Sequence, residues 1–451
     1  MIDERMSDVD ALVLAVEQDP RQRTTIAALI RFDRRLDPVE LRHRIDRASR
    51  VVPRLRQRII HDPVQIAAPR WSVDTDFQLA RHFRVAHLCQ GDEATLTTFV
   101  RDVIVQPFDR AHPLWEFTLI EGLNGDQAAL LLKSHHCVSD GVGGVQMMLE
   151  LFDLAAEADP ERSTLPPTPT ADDTQPSVGG MLTAEAGQTL RSLRTLVDRA
   201  ATPRSIIEMT NAARSAGEAL GSAVRMFRPP AATALPSERS AGLDVSFFSV
   251  ALADVKAAGA RTGGTINDAF VAGVALGVGD HFGTEPGTVL RIAIPINTRK
   301  GRDDVGNHWT PGRVDLALGA NPDPDAVVAT VREGVALTRD EPAHQLLTPL
   351  AGALRRLPPA ASLPLVESIA AGLDLAASNV PGSPIPLYLC GQEVQAVVPF
   401  GPLSGCAANV TLMSYAGTAH ISVSTDPAAV TDHAGLVRNI EAGMSAVIKA
   451  S

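Results

Sequence analysis

Residues 131–144 read LLKSHHCVSDGVGG, an apolar run that ends in two adjacent histidines and continues through Asp140-Gly141 into further glycine. The apolar run predicts a strand, and from Val145 the apolar residues fall at i, i+3, i+4 and i+7, which predicts a helix. Just upstream, the segments EFTLIEGL (116–123) and AALLLKSHH (128–136) predict two strands of a hairpin around an Asn-Gly-Asp turn. The stretch therefore marks a strand-to-helix turn at the end of a β-hairpin.

The two histidines of this stretch cannot both serve one ion. Neighbouring side chains on a strand point to opposite faces, so His135 and His136 do not converge. The nearby sequence offers no further cluster of ligands, and we predict no metal site. One histidine then faces an open site as a general base, because imidazole titrates near neutrality and can accept a proton from an attacking hydroxyl. A pair of buried, hydrogen-bonded histidines at a strand end is the alternative that the pattern leaves open.

Two other residues of the stretch have alternative roles. Asp140 either caps the following helix, with Gly141 supplying the turn, or pairs with a buried arginine and holds the loop. Both roles make Asp140 structural. Cys137 as a nucleophile is a further alternative, which no other feature of the sequence supports.

Composition limits the class of protein. A chain of 451 residues is too long for one ordinary core and predicts two domains. A content of 45% hydrophobic and 21% charged residues is typical of a soluble globular protein. The net charge of -11 argues against nucleic-acid binding, which needs a basic face. The cysteines lack C-x-x-C spacing and the N-terminus lacks an apolar signal segment, so we expect a cytoplasmic protein.

The chain divides into two predicted domains and a crossover. Residues 1–155 form the N-terminal domain, 156–240 a linker and helical crossover, and 241–451 the C-terminal domain. Two apolar stripes in the crossover, interrupted at Pro203, predict helices that either pack on a neighbouring core or meet a membrane or lipid-droplet surface. In the C-terminal domain, LDVSFFSV and LRIAIPINTR predict strands, and TINDAFVAGVALGVGDHF predicts a capped helix.

Several motifs, in order, carry a family resemblance. HHCVSDG matches the HHxxxDG signature of the chloramphenicol-acetyltransferase-like acyltransferases. From near Met6 to the C-terminus the chain resembles the bacterial wax ester synthase/diacylglycerol acyltransferase family, through MSDVDALVL, PFDRAHPLWEFTLIEGL, TINDAF, IPINTR and SNVPGSPIPLYLCG. The resemblance implies an α/β fold of two such domains, each a mixed β-sheet flanked by helices, with the reaction channel between them.

The resemblance also implies a reaction. A long-chain fatty acyl group would move from acyl-CoA to the hydroxyl of diacylglycerol, or of a long-chain alcohol to give a wax ester. By the family motif His136 is the base, His135 and Asp140 support it, and Gly141 frees the backbone. The thioester is already activated, so acyl-CoA is a co-substrate and no cofactor is expected. The alternatives are a carrier-protein- or CoA-dependent condensation or polyketide-ester acyltransferase, and a catalytically silent lipid-binding protein.

Three further family elements are candidate substrate-binding residues. Pro113-Leu114-Trp115 most simply starts a strand with a buried tryptophan, with substrate contact as the alternative. Asn267 and Asp268 either cap the helix that follows or orient substrate. Ser378 and Asn379 precede Pro-Gly, which predicts a role in a turn.

Overall fold

The computed structural model describes residues 5–61, 68–138, 147, 150–157, 162, 164–169, 235–283, 288–297, 309–319, 322–339, 351–352, 354–357, 361, 364 and 373–450. Across these ranges the strands form two six-stranded sheets and a two-stranded ribbon. The predicted α/β fold with a mixed sheet in each half is confirmed. The predicted crossover helices lie in residues 170–234, outside the described residues.

The first sheet has the strand order β11-β12-β1-β6-β5-β4. Its strands are β1 Thr25–Phe32, β4 Phe83–His87, β5 Trp115–Glu121, β6 Ala128–His135, β11 Tyr388–Leu389 and β12 Gln392–Phe400. Strands β5 and β6 pair antiparallel, which confirms the predicted hairpin. Its turn contains Gly125 at φ 71°, in the left-handed region that glycine adopts without strain. The ribbon consists of β2 Gln57–Ile60 and β3 Arg70–Val73.

An exchanged strand ties the two halves of the chain together. Strand β12 comes from the second half of the sequence, yet it pairs antiparallel with β1 from Ala27↔Phe400 to Phe32↔Val394. Residues 392–400 therefore complete the sheet of the first half, although they lie within the predicted domain 241–451. The alternation of apolar residues identifies such a strand but says nothing about which sheet it joins.

The helices are α1 Asp8–Val16, α2 Pro38–Val51, α3 Glu93–Val105, α4 Leu252–Arg261, α5 Ile266–Phe282, α6 Pro324–Arg339 and α7 His433–Lys449. Helix α2 begins at Pro38, where the Asp37 side chain accepts a hydrogen bond from the Val39 N–H and proline occupies the first helical position. Helix α2 buries Leu41, Ile45 and other residues of one stripe against the first sheet. Single 3-10 turns lie at Pro20–Gln22, Pro53–Arg56, Leu79–Arg81 and Asn124–Asp126.

The second sheet has the order β7-β14-β13-β10-β8-β9. Its strands are β7 Asp244–Ala251, β8 Val289–Asn297, β9 Trp309–Ala317, β10 Leu375–Val380, β13 Ala408–Tyr415 and β14 Thr418–Thr425. Apolar side chains on one face, such as Val410 and Ile421, share a core with α5 and α7. Side chains of the other face, such as Thr411 and Ser422, are polar and buried. The polar face meets the first sheet where β12 ends, since a Cβ on Gly401 would lie 2.6 Å from Thr411 Oγ1.

Candidate active site

The end of β6 is held on both sides by backbone hydrogen bonds. The His135 N–H donates to the carbonyl of Leu114 over 3.0 Å, and the His136 N–H donates to the carbonyl of Thr24 over 3.1 Å. The predicted Pro-Leu-Trp element thus supports the histidine pair through its backbone. The two imidazoles start from a fixed strand end, as a positioned base requires.

His135 is a buried residue with a defined tautomer. It is 1% exposed, and the Cys137 N–H donates to its Nδ1 over 3.1 Å. Because a backbone N–H can only donate, Nδ1 carries the lone pair and Nε2 carries the proton. The Nε2–H faces Glu17 Oε2 at 2.5 Å and Thr24 Oγ1 at 3.1 Å. His135 therefore has no lone pair for a metal ion or for a substrate proton.

Glu17 is the residue of this site that the sequence analysis missed. Its Oε1 accepts a hydrogen bond from the Thr24 N–H over 3.0 Å, and its Oε2 lies 3.4 Å from Arg110 Nη2. Burial alone would raise the pKa of Glu17, but the hydrogen bond and charge of His135, the Thr24 N–H and Arg110 outweigh it and hold the pKa below its usual value. Glu17 is 118 residues away from His135 in the chain and belongs to no motif, so no local signal could identify it.

His136 is half-buried, whereas His135 is almost fully buried. His136 lies in the turn that follows β6, so it is the imidazole of the pair that solvent or a ligand can reach. The burial of His135 fits the prediction that one histidine of the pair faces protein, while an open site beside His136 stays a prediction. Asp140, Gly141 and most of the helix predicted from Val145 lie outside the described residues.

Lys133 lies two residues before His135 on the same face of β6 and is fully buried. Its Nζ donates to the carbonyl of Gln106 over 2.7 Å, sits 4.3 Å from the centroid of the Phe108 ring and lies 3.6 Å from Glu116 Oε2. Burial lowers the pKa of Lys133 to about 8, although the nearby Glu116 opposes the shift. The Phe108 ring also meets the edge of His135, with 6.4 Å between centroids. The buried amino group of Lys133 thus lies on the same face of β6 as His135.

Cys137 does not have the environment of a nucleophile. Burial raises the pKa of its thiol well above the usual value, and Asp10 and Glu17 add to the shift. Because the thiolate is the reactive form, this thiol stays protonated and unreactive near neutral pH. The nucleophile alternative for Cys137 loses its support.

Leu114 and Trp115 are core residues, 2% and 0% exposed. The Trp115 Nε1–H donates to the carbonyl of Leu55 over 2.8 Å, and its ring stacks on His82 with 4.5 Å between centroids. Pro113 precedes them and is also buried. These contacts favour the structural interpretation of Pro113-Leu114-Trp115 as the start of a strand with a buried tryptophan.

The remaining candidates lie in the second half. Asp268 forms a capping box with Thr265: its Oδ2 accepts from the Thr265 N–H over 2.7 Å, and its own N–H donates to Thr265 Oγ1. This geometry favours the capping interpretation, while Asn267 beside it is half-buried.

The prediction of a turn at Ser378 and Asn379 is wrong, because both belong to β10 and pair parallel with Thr411 and Leu412 of β13. The chain leaves the strand only at Pro381. Ser378 shares the polar face of the second sheet with Thr411, and Asn379 points to the helix-covered face.

Two mixed sheets, the first of them completed by a strand from the second half of the chain, and an HHxxxDG motif that begins at the end of a hairpin strand are typical of the chloramphenicol-acetyltransferase-like acyltransferases. A family model described as the wax ester synthase/diacylglycerol acyltransferase catalytic domain matches residues 6–270. A second model, described as the WS/DGAT C-terminal domain, matches residues 305–447. The chain therefore belongs to the wax ester synthase/diacylglycerol acyltransferase family, and it is an acyltransferase.

Individual relatives agree with this membership. A candidate diacylglycerol O-acyltransferase of Mycobacterium tuberculosis is 33% identical, covering 99% of this chain and 92% of its own length. Among solved structures, the wax ester synthase/diacylglycerol acyltransferase of Marinobacter aquaeolei VT8 superimposes with a TM-score of 0.65 at 20% identity, covering 98% of both chains. The first condensation domain of the calcium-dependent antibiotic synthetase gives 0.64 at 14% identity, covering 100% of this chain and 96% of its own. At these identities the structural likeness concerns the fold.

No helix within the described residues combines the length and apolar character needed to cross a bilayer.

Proposed function

We propose that the chain transfers a long-chain fatty acyl group from acyl-CoA to the hydroxyl of diacylglycerol, forming triacylglycerol, and that long-chain alcohols serve as alternative acceptors. Family membership and the name of the relative from Mycobacterium tuberculosis support the substrate class. Because diacylglycerol is insoluble in water, a cytoplasmic enzyme of this kind would work at the surface of a membrane or lipid droplet. Flotation with diacylglycerol-containing vesicles tests that contact.

His136 acts as the general base in this proposal. It removes the proton of the acceptor hydroxyl as the oxygen attacks the thioester carbonyl carbon. When the tetrahedral intermediate collapses, the C–S bond breaks and the CoA sulfur leaves with the proton that His136 returns. No acyl-enzyme and no cofactor are required, since the thioester is already activated.

A single observation carries the assignment of the base. Both ring nitrogens of His135 are engaged, Nδ1 by the Cys137 N–H and Nε2 by Glu17, while His136 is the half-buried neighbour at the end of the same strand. A base needs an available lone pair within reach of substrate, and His135 has none. The assignment of His136 that the family motif implies is thus supported by the contacts of its neighbour.

The test is the turnover of His136→Ala with palmitoyl-CoA and diolein, measured as released CoA thiol and as triacylglycerol by mass spectrometry. We expect a fall in kcat of roughly a hundred- to ten-thousand-fold, the usual contribution of a positioned base. His87→Ala is the matched control, because the His87 side chain is 73% exposed and its contact with Glu121 lies at the surface. A folded His136→Ala protein with wild-type turnover would exclude His136 as the base.

The fold is similar to that of a condensation domain, so a second experiment tests whether the acyl donor is acyl-CoA or an acyl group bound to a carrier protein. Palmitate loaded on a carrier protein is therefore compared with palmitoyl-CoA as the donor for the wild-type chain. Turnover with the carrier-bound acyl group alone would replace the CoA-dependent proposal. Binding of diolein without acyl transfer from either donor would indicate the lipid-binding alternative.

A further inference from the structure

A solvent-open cavity of about 410 Å³ lies along helix α2. It is lined by Arg42, His43, Asp46, Arg50, Arg56 and Phe77. The α2 members recur at the spacing of one helical face, and Arg56 adds a third guanidinium from the 3-10 turn that follows the helix. One wall of the cavity therefore carries three guanidinium groups and one carboxylate.

The charges on this wall do not cancel. Asp46 is shared by two arginines, with Oδ1 2.5 Å from Arg56 Nη2 and Oδ2 2.9 Å from Arg50 Nη2. Arg42 is exposed and makes no hydrogen bond or ion pair with any residue that the structure describes. The cavity is thus locally positive on a chain whose net charge is -11. Such a site attracts an anion that the rest of the protein repels.

The cavity also lies close to the strand end that carries the histidines. The Arg56 guanidinium sits 4.3 Å from the centroid of the Phe77 ring, and the Phe77 ring lies 6.3 Å from that of Trp115. Trp115 is the cross-strand partner of Ser134, which directly precedes His135. The half-buried Phe77 and the fully buried Trp115 therefore lie between the cavity and the end of β6.

We propose that this cavity binds the phosphate groups of the acyl-CoA donor; the inference rests on the proposed function. Guanidinium groups match phosphate oxygens in geometry as well as in charge. A donor with several phosphates is repelled at long range by the net charge of this chain, so a local cationic site is needed to bind it. Phe77 and Leu79 provide apolar contact beside the charged wall.

The test is the KM for palmitoyl-CoA in Arg42→Gln, a change at an exposed side chain that leaves the fold intact. We expect KM to rise about tenfold with kcat unchanged, the effect of losing one charge-assisted contact. Palmitoyl-pantetheine, which lacks the nucleotide and its phosphates, should show no difference between wild type and variant. Arg42→Lys, which keeps the charge but not the planar guanidinium, should restore part of the affinity, and Arg35→Gln, in an exposed ion pair with Asp126, is the matched control.

Other outcomes overturn the assignment. An unchanged KM for palmitoyl-CoA, or an equal rise with palmitoyl-pantetheine, would show that the cavity does not contact the phosphates. Loss of binding to vesicles containing phosphatidylglycerol, with KM unchanged, would assign the cavity to anionic lipid instead.

Calorimetric titration with free CoA separates this inference from the proposed function. Arg42-dependent binding in a chain that transfers no acyl group would refute the function and keep the site.

Discussion

Glu17 Oε2 lies 2.5 Å from His135 Nε2, and this contact fixes the proton that the supporting imidazole carries. The other ring nitrogen, Nδ1, accepts a hydrogen bond from the Cys137 N–H. If the proton moved to Nδ1, two N–H donors would face each other, so His135 keeps its proton on Nε2. The carboxylate and the backbone together lock His135. His136 is covalently next to it and is held through Thr24, whose own N–H donates to Glu17. The position of His136, the proposed base, thus depends on a residue far away in the sequence.

Glu17→Gln tests this dependence. Each Glu17 oxygen accepts from a different donor, and glutamine must turn its NH2 group toward either the Thr24 N–H or the His135 Nε2–H. We expect the free energy of unfolding to fall by about 1–3 kcal/mol. We also expect kcat to fall on the order of ten- to a hundredfold, because the base loses its alignment. Urea denaturation and steady-state kinetics measure the two effects.

Glu93→Gln is the control for this change, since Glu93 pairs with Arg31 at the surface and its side chain is 52% exposed. Because the pKa of Glu17 is lowered in the folded protein, its stabilising contribution is present above the usual carboxyl pKa and is lost as the pH falls through the folded value. The Glu17→Gln variant lacks this component of acid sensitivity. Wild-type kcat in a variant that is destabilised as expected would mean that Glu17 supports the fold only.

Alanine at each histidine should separate support from catalysis. His135→Ala removes a buried ring, leaves the Cys137 N–H without its acceptor and takes the imidazole donor away from Glu17, so we expect a loss of about 2–4 kcal/mol in the free energy of unfolding. His136→Ala changes a half-buried residue and should cost about 1 kcal/mol or less. Chemical denaturation of both variants beside their kcat values is the measurement. Equal destabilisation by both would contradict the division of roles between the histidines.

The sequence predicts the parts of this site that are local. The apolar run at 128–132 predicts β6, the segment EFTLIEGL predicts β5, and the turn residues at 124–126 predict their hairpin, because these signals are local in the sequence. The likeness of HHCVSDG to a family signature points to His136, and strand alternation predicts that His135 and His136 point to opposite faces. These predictions need no knowledge of distant contacts.

Non-local features could not be predicted. Glu17 reaches His135 only through the tertiary fold, and a glutamate after a helix is usually a solvated residue. The exchange of β12 into the first sheet depends on its pairing with β1, which the pattern of one strand does not specify. The turn predicted at Ser378 and Asn379 is wrong for a similar reason, because pairing with β13 extends β10 to Val380, as far as the Pro-Gly sequence permits.

Cys137→Ala should keep the enzyme active. The backbone N–H that orders His135 remains in alanine, and the thiol, whose pKa is raised by burial, takes no part in the reaction. We expect a loss of about 1 kcal/mol in the free energy of unfolding from the smaller buried side chain, with initial rates of CoA release close to wild type. A folded variant without activity would return the thiol to consideration as a nucleophile.

Lys133→Met tests the buried ammonium group through its pH dependence. The pKa of Lys133 is about 8 in the folded protein against an ordinary value of 10.5, so between these values the unfolded chain keeps a proton that the folded chain has lost. The contribution of Lys133 to the free energy of unfolding therefore rises as the pH increases from 8 to 10.5, and it is lost as the pH falls back toward 8. Methionine does not titrate, so the stability of Lys133→Met relative to wild type should fall by about 3 kcal/mol between pH 7 and pH 10.5. Lys256→Met, at an exposed position of α4, is the matched control for the series. Urea titrations at a series of pH values measure the difference, and parallel curves for wild type and Lys133→Met would mean that Lys133 titrates as an ordinary lysine.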